Sequence, residues 1–73
     1  MVELMQVNLS KIRKLRKGKN LSQEKTANLI GFKSKYSYHR KESGVQSFSA
    51  EEIHAIAKFF DKPIEYFFDE KLA

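Results

Sequence analysis

The sequence predicts an all-α fold of five short helices, and three observations predict it. Apolar residues recur at three- and four-residue spacings, the period of a helix with one buried face. The clearest run is Ile53, Ile56, Ala57 and Phe60. Gly18, Gly31 and Gly44 stand just past the ends of such segments, where a left-handed residue closes a helix. Asn8, Ser22 and Ser49 stand in front of them, where a side-chain oxygen caps the free N–H groups of a first turn. The 73 residues suffice for one compact domain, 1–73, of marginal core size.

Residues 1–8 read as an N-terminal extension. Val2, Leu4, Met5 and Val7 fit either an extended first helix or a short strand. Helix one follows Asn8, with Leu9, Ile12 and Leu15 as its apolar stripe, and ends at Gly18-Lys19-Asn20. Helix two follows Ser22. Ala27, Leu29 and Ile30 face inward, and Gly31 closes it. After the turn Phe32-Lys33-Ser34, helix three begins at Ser34 or Lys35 and runs to about Ser43. Tyr38 is its one inward anchor, so neighbouring elements must hold it. Helix four opens on a capping box, Ser49 with Glu52, and a hydrophobic staple, Phe48 with Ile53. Asp61-Lys62 breaks it, and Pro63 suits the first turn of a fifth helix with Ile64 and Phe67 facing in. Phe59, Tyr66 and Phe68 exceed what a core this small hides. They are expected either as a dimer contact or partly buried under the N-terminal segment.

The net charge of +5 is unevenly spread. Residues 11–41 carry eleven basic side chains and one acid, Glu24; residues 42–73 carry three basic groups and seven acids. That asymmetry is the footprint of a polyanion binder, although basic small domains also meet membranes and acidic proteins. Cysteine is absent, which excludes disulfides, thiolate metal sites and thiol catalysis. His39 and His54 are too far apart for a short-helix metal site, and each reads as a surface residue. Glu51 and Glu52 are adjacent on a helix, so they do not converge on a substrate; capping and the helix dipole account for them. No nucleophile–base pair, phosphate loop or metal cluster stands out, and an enzyme is not expected. No apolar run reaches the ~20 residues of a membrane span.

A tight turn at Gly31 between helices two and three is the helix-turn-helix layout. The ordered set Ile12-Arg13-Lys14-Leu15-Arg16-Lys17, Leu21-Ser22-Gln23-Glu24, Ala27, Gly31 and Tyr38 to Gly44 resembles the Xre type of the phage Cro/repressor helix-turn-helix family. The segment Phe48-Ser49-Ala50-Glu51-Glu52 and the closing Ile64-Glu65-Tyr66-Phe67-Phe68 also fit, so the resemblance spans roughly residues 9–69. It implies a five-helix, repressor-like DNA-binding regulator, usually a dimer on a paired operator. Gln23 matches the family's phosphate-contacting glutamine. Lys35, Tyr36 and Arg40 fall on the base-reading face of helix three, and Ser34 and Ser37 fall where phosphate or base-edge contacts occur. Lys33 and Ser47 are further backbone candidates. Glu42 resembles the family's structural acid, and Arg16 is its suggested partner.

Three positions depart from the family pattern. Thr26 stands where Leu is usual, Lys25 where a Glu often completes the capping box on Ser22, and Asp61 where Gly is frequent. The stretch from Gly31 to Gly44 is one residue longer than is common. The expected partner is a double-stranded DNA operator bound by a homodimer in the cytoplasm, with no cofactor, small-molecule ligand or membrane involved. The rival reading is a protein-interaction module, such as an antitoxin-like partner, with secondary DNA binding. A membrane-surface peptide is a distant third, because the core needs the apolar residues.

Overall fold

Every α-helix in the computed structural model, which describes residues 3–72, starts on a side-chain cap and ends beside a left-handed residue. The element order is β1 (Glu3–Val7), α1 (Leu9–Gly18), α2 (Gln23–Ile30), α3 (Lys35–Glu42), α4 (Ala50–Phe60), a single 3-10 turn (Ile64–Phe67) and β2 (Phe68–Leu72). Asn8, Ser22, Ser34 and Ser49 each accept a bond from the backbone N–H three residues on, at 3.0–3.2 Å. At the other ends Asn20, Gly31, Gly44 and Asp61 take positive φ. The next residue's N–H then reaches back five positions: Leu21 to Arg16, Phe32 to Ala27, Val45 to Arg40 and Lys62 to Ala57, at 2.8–3.1 Å. These are Schellman closures, and they satisfy carbonyls that a helix end otherwise leaves unpaired. Gly18 is not one of the left-handed residues. It is the last residue of α1, and the reversal falls two positions later on Asn20, a residue that tolerates this region through its short polar side chain.

The molecule is mostly helical, but four α-helices form among the described residues rather than five. The expected fifth is the 3-10 turn at Ile64–Phe67. Pro63 before it is extended (φ −65°, ψ 149°), and Phe68 after it is extended again (φ −114°, ψ 140°). The turn does not extend into a helix because the residues that follow it, Phe68–Leu72, pair with β1. The strands are antiparallel, with Val7 opposite Phe68 and Glu3 opposite Leu72. Asn8 locks the junction, its N–H donating to the Phe67 carbonyl at 2.7 Å and its Nδ2 to Asp69 at 2.9 Å. The N-terminal extension, open between helix and strand on sequence, is thus a strand over residues 3–7. Val2 lies outside the described residues.

Ile12, Ile53, Ile56, Ala57, Phe60 and Phe67 form the core, all within 5% of full burial. The helical spacing of Ile53 to Phe60 brings that face of α4 against the 3-10 turn and α2, with Ile12 of α1 joining the same cluster. Two expected inward residues are not inside. Leu29 is 50% exposed and Ile64 37% exposed. Leu29 sits two positions after Ala27, which turns it away from the buried face of α2. Ile64 opens the 3-10 turn, where only Phe67 reaches the core. Phe59, Tyr66 and Phe68 are half-buried against the core cluster. Tyr66 is covered by Lys11 and Lys62, whose Nζ atoms lie 4.6 and 5.1 Å from its ring centre. All three are thus partly buried within the single chain.

Candidate nucleic-acid interface

Helix α3 has little apolar surface of its own, and two buried side chains, Tyr38 and Glu42, attach it to the rest of the molecule. Tyr38 lies within an aromatic triangle with Phe32 from the preceding turn and Phe48 from the approach to α4. Ring centroids are 5.3–6.2 Å apart in edge-to-face geometry, the arrangement aromatic quadrupoles favour. Its hydroxyl donates to Glu42 Oε2 at 2.6 Å. Burial, with the Glu42 carboxylate beside it, pushes the phenol pKa far above its ordinary value.

Glu42 is 1% exposed and accepts four hydrogen bonds. Arg16 donates from Nε to Oε2 at 2.9 Å and from Nη2 to Oε1 at 3.1 Å, a bidentate fork. Tyr38 and Gln23 supply the others, Gln23 Nε2 donating to Oε1 at 2.9 Å. Burial works against its ionisation, but these bonds outweigh burial and hold the carboxyl below the usual glutamate range. Arg16 Nη1 also donates to the Leu21 carbonyl at 2.8 Å, so one guanidinium joins α1, the α1–α2 turn and α3. A buried charge pair is tolerated only when its lone pairs and protons are satisfied. Among the described residues no buried side-chain nitrogen or oxygen lacks a partner.

The C-terminal end of α3 is fixed twice more. Arg13 Nη1 donates to the Glu42 carbonyl at 2.8 Å, and Lys41 Nζ donates to Glu52 Oε1 at 2.7 Å. Glu52 simultaneously accepts the Ser49 N–H in the capping box. Burial opposes its ionisation, yet Lys41 and the Ser49 bonds together keep its pKa below the usual glutamate range. The N-terminal end is set by Gly31 (φ 103°), which only glycine adopts without strain, and by the Ser34 cap. Ser34 is the cap and Lys35 the first helical residue. Thr26, at the position where Leu is usual, is fully buried, and its hydroxyl donates to the Ser22 carbonyl at 2.8 Å.

With its inner side so occupied, α3 presents a basic outer side. Lys35, Tyr36, His39 and Arg40 are exposed, Tyr36 at 64%. Lys33 in the turn is also exposed, and Ser37 is half-buried. Lys35, Tyr36 and His39 surround a shallow cleft of about 310 Å³ whose fourth wall is Gln23 at the start of α2. Lys35 Nζ stands 5.5 Å from the Tyr36 ring centre. Arg40 is exposed on the same helix outside that cleft. Ser47 is exposed in the α3–α4 connection but borders a different groove, with Val7, Phe48 and Phe68.

Gln23 is more constrained than a free first-turn glutamine. Its amide bridges Glu42 and His39, with His39 Nδ1 3.0 Å from Oε1. His39, read from sequence as an ordinary surface residue, therefore belongs to the cleft. Its four-residue spacing from Lys35 was a visible signal; its approach to Gln23, sixteen positions away, was not. Among the helix-one cations, Arg13 and Lys11 are engaged within the molecule, Lys11 donating to the Tyr66 carbonyl at 3.1 Å, whereas Lys14, Lys17 and Lys19 stay exposed.

A helix-turn-helix family model matches residues 12–67, from the middle of α1 through the 3-10 turn. The searches of curated proteins and of solved structures found no match. No helix among the described residues is long and apolar enough to cross a membrane.

Proposed function

Because the chain belongs to the Xre-like helix-turn-helix family of the phage Cro/repressor type, whose members bind double-stranded DNA, we propose that it is a sequence-specific transcriptional repressor of a phage or bacterial chromosome. Helix α3 lies in the major groove. The observation that carries this reading is an exposed, basic outer side on a helix whose inner side is anchored by a satisfied buried ion pair. A rigid support is what base reading needs, because hydrogen bonds to base edges are lost with small displacements.

In this reading Arg40 forks onto guanine O6 and N7, and Lys35 reaches the same kind of edge. Tyr36 packs on a thymine methyl or meets a phosphate. The hydroxyls of Ser34 and Ser37, the remaining N–H of Gln23, and Lys33 and Ser47 act on the sugar–phosphate backbone, where contacts position the protein without reading sequence. One short helix touches too few bases to single out a genomic site, so two copies bind half-sites about one DNA turn, ~34 Å, apart. The work is done in the cytoplasm, by binding rather than catalysis.

The test begins with selection of duplexes from random DNA, followed by titration on the recovered site. Lys35→Ala and Arg40→Ala each cost ~1–3 kcal/mol there and relax preference at defined positions. Equal weakening on recovered and random DNA would reduce both residues to phosphate contacts. Destroying one half-site sharply weakens binding if two copies are required. Affinity falls linearly in log salt for a phosphate-contacting protein, and a flat salt response would favour the protein-interaction reading instead.

A further inference from the structure

The Glu42–Gln23–His39 chain of hydrogen bonds has a chemical direction. An ionised carboxylate only accepts, so the Gln23 group facing Glu42 must be the NH2, as the 2.9 Å contact has it. The carbonyl end of that amide then faces His39. A carbonyl oxygen also only accepts, so His39 Nδ1, 3.0 Å away, must carry a hydrogen. A free histidine side chain in water prefers its neutral proton on Nε2. Here the buried carboxylate, acting through one glutamine, selects the opposite tautomer on the exposed face of α3 and leaves Nε2 as the outward nitrogen.

We propose that His39 is a DNA contact, with Gln23 and Glu42 as its positioning residues, and that its outward Nε2 donates to a DNA acceptor in the imidazolium form. The proposal rests on the reading of α3 as the DNA-facing helix. Nε2 is a bare acceptor in the neutral Nδ1–H form, and phosphate oxygens and guanine N7 and O6 are acceptors too, so contact with them requires a proton on Nε2. Most protein–DNA hydrogen bonds go to phosphate and sugar, which makes an acceptor the commonest neighbour. Protonation leaves the Nδ1–H bond to Gln23 intact. The charged and titratable groups around the ring are Lys35 and Tyr36 in the cleft, Arg40 next in the helix, and Glu42 with Arg16 behind Gln23. Bound DNA brings a dense negative charge to this face, and its acceptors need a proton on Nε2. Binding therefore takes up a proton, and affinity rises as pH falls through the imidazole range.

Two measurements on the full chain test this. Nitrogen–proton correlation spectra of the imidazoles, recorded on the free protein above the imidazole range, should show His39 protonated on Nδ1. Gln23→Ala should move the population toward Nε2–H, a change that a merely structural Gln23 would not produce. Titration of the selected duplex from pH 6 to 8.5 should show a loss approaching about tenfold per pH unit per bound chain, the limit for one linked proton. His39→Asn should flatten that slope with an unchanged melting curve, and His54→Asn should leave the slope in place. An Nε2–H tautomer in the native chain, or a slope that survives His39→Asn, overturns the proposal while leaving the regulator reading standing. Absence of duplex binding at every pH overturns the regulator reading and the contact together.

Discussion

Helices α3 and α4 are neighbours in the chain and are held in place by opposite means. Helix α4 carries its own reasons to fold: a complete capping box at Ser49 and Glu52 and an apolar face that supplies Ile53, Ile56, Ala57 and Phe60 to the core. Helix α3 has eight residues, most of them polar, and only Tyr38 and Glu42 are buried. Its stability is borrowed from Arg16, Gln23, Phe32 and Phe48. A helix anchored by two side chains has the rest of its surface free for another molecule, whereas a helix that builds the core has little surface to spare. The division also separates the kinds of energy involved, since α4 is held by burial of apolar area and α3 by a satisfied network of charge and hydrogen bonds.

The largest expected effect follows from the polar anchor. Glu42→Ala leaves the Arg16 guanidinium buried without its partner, which costs ~3–5 kcal/mol. For a chain this small, with stability on the order of 5 kcal/mol, a melting temperature lowered by more than ~10 °C at neutral pH is the expected result. The penalty depends on pH. The folded pKa of Glu42 lies below its unfolded value, so the carboxylate contributes stability that is fully present above the ordinary glutamate pKa of ~4.3. That contribution is lost as pH falls through the folded value. Glu52 acts in the same direction. The native chain should thus lose stability on the acid side of that range, and the gap between native and Glu42→Ala should narrow there. A gap independent of pH in circular-dichroism melts would show that Glu42 acts by shape alone.

Ile56→Ala, at the centre of the apolar anchor, should cost ~2–5 kcal/mol and lower the melting temperature by ~10 °C or more. Ile56 is fully buried within the apolar cluster, so its penalty should be the same at acid and neutral pH. If the two substitutions shared one pH dependence, the division between a polar and an apolar anchor would fail.

The same division decides what could be read in advance. The capping box, the staple residue Phe48 and the inward face of α4 are local patterns, each contained within about ten residues, and the structure has them as expected. Gly31 and Gly44 likewise announce their left-handed positions. The first strand stood open against a helix and the second did not announce itself, because each gains its partner from the far end of the chain; Val7 pairs with Phe68. Phe67 and Phe68 look alike in sequence, yet one completes a helical turn and the other begins a strand. In the candidate site, the resemblance put Lys35, Tyr36 and Arg40 on the outer face of helix three, and all three are exposed. The Arg16–Glu42 pair came only from the family resemblance. The bridge from Gln23 to His39 depends on how closely α2 approaches α3, which no local pattern encodes.

The smallest expected effect lies where α4 ends. Four helices use the same closure, but glycine holds the left-handed position at Gly31 and Gly44, while Asn20 and Asp61 hold it at φ 57° and 56°. A side chain in that region costs roughly 1–2 kcal/mol, less for the short polar residues that bond locally. Asp61 has a second disadvantage. Its negative charge sits at the C-terminal end of α4, where the helix dipole favours cations by ~0.3–1 kcal/mol. Glycine at this position adds unfolded-state entropy, which offsets part of the gain, so Asp61→Gly should stabilise by a net ~0.5–1 kcal/mol. For a chain of this length that corresponds to a rise in melting temperature of ~2–8 °C. Asn20→Gly should gain less, because asparagine tolerates the region and carries no charge. Gly44→Ala should go the other way, since an added Cβ would meet Leu9 Cδ1 at 3.3 Å in a backbone region that already disfavours it. A thermal melt of the three variants orders them, and a destabilised Asp61→Gly would mean that the aspartate side chain itself takes part in the closure.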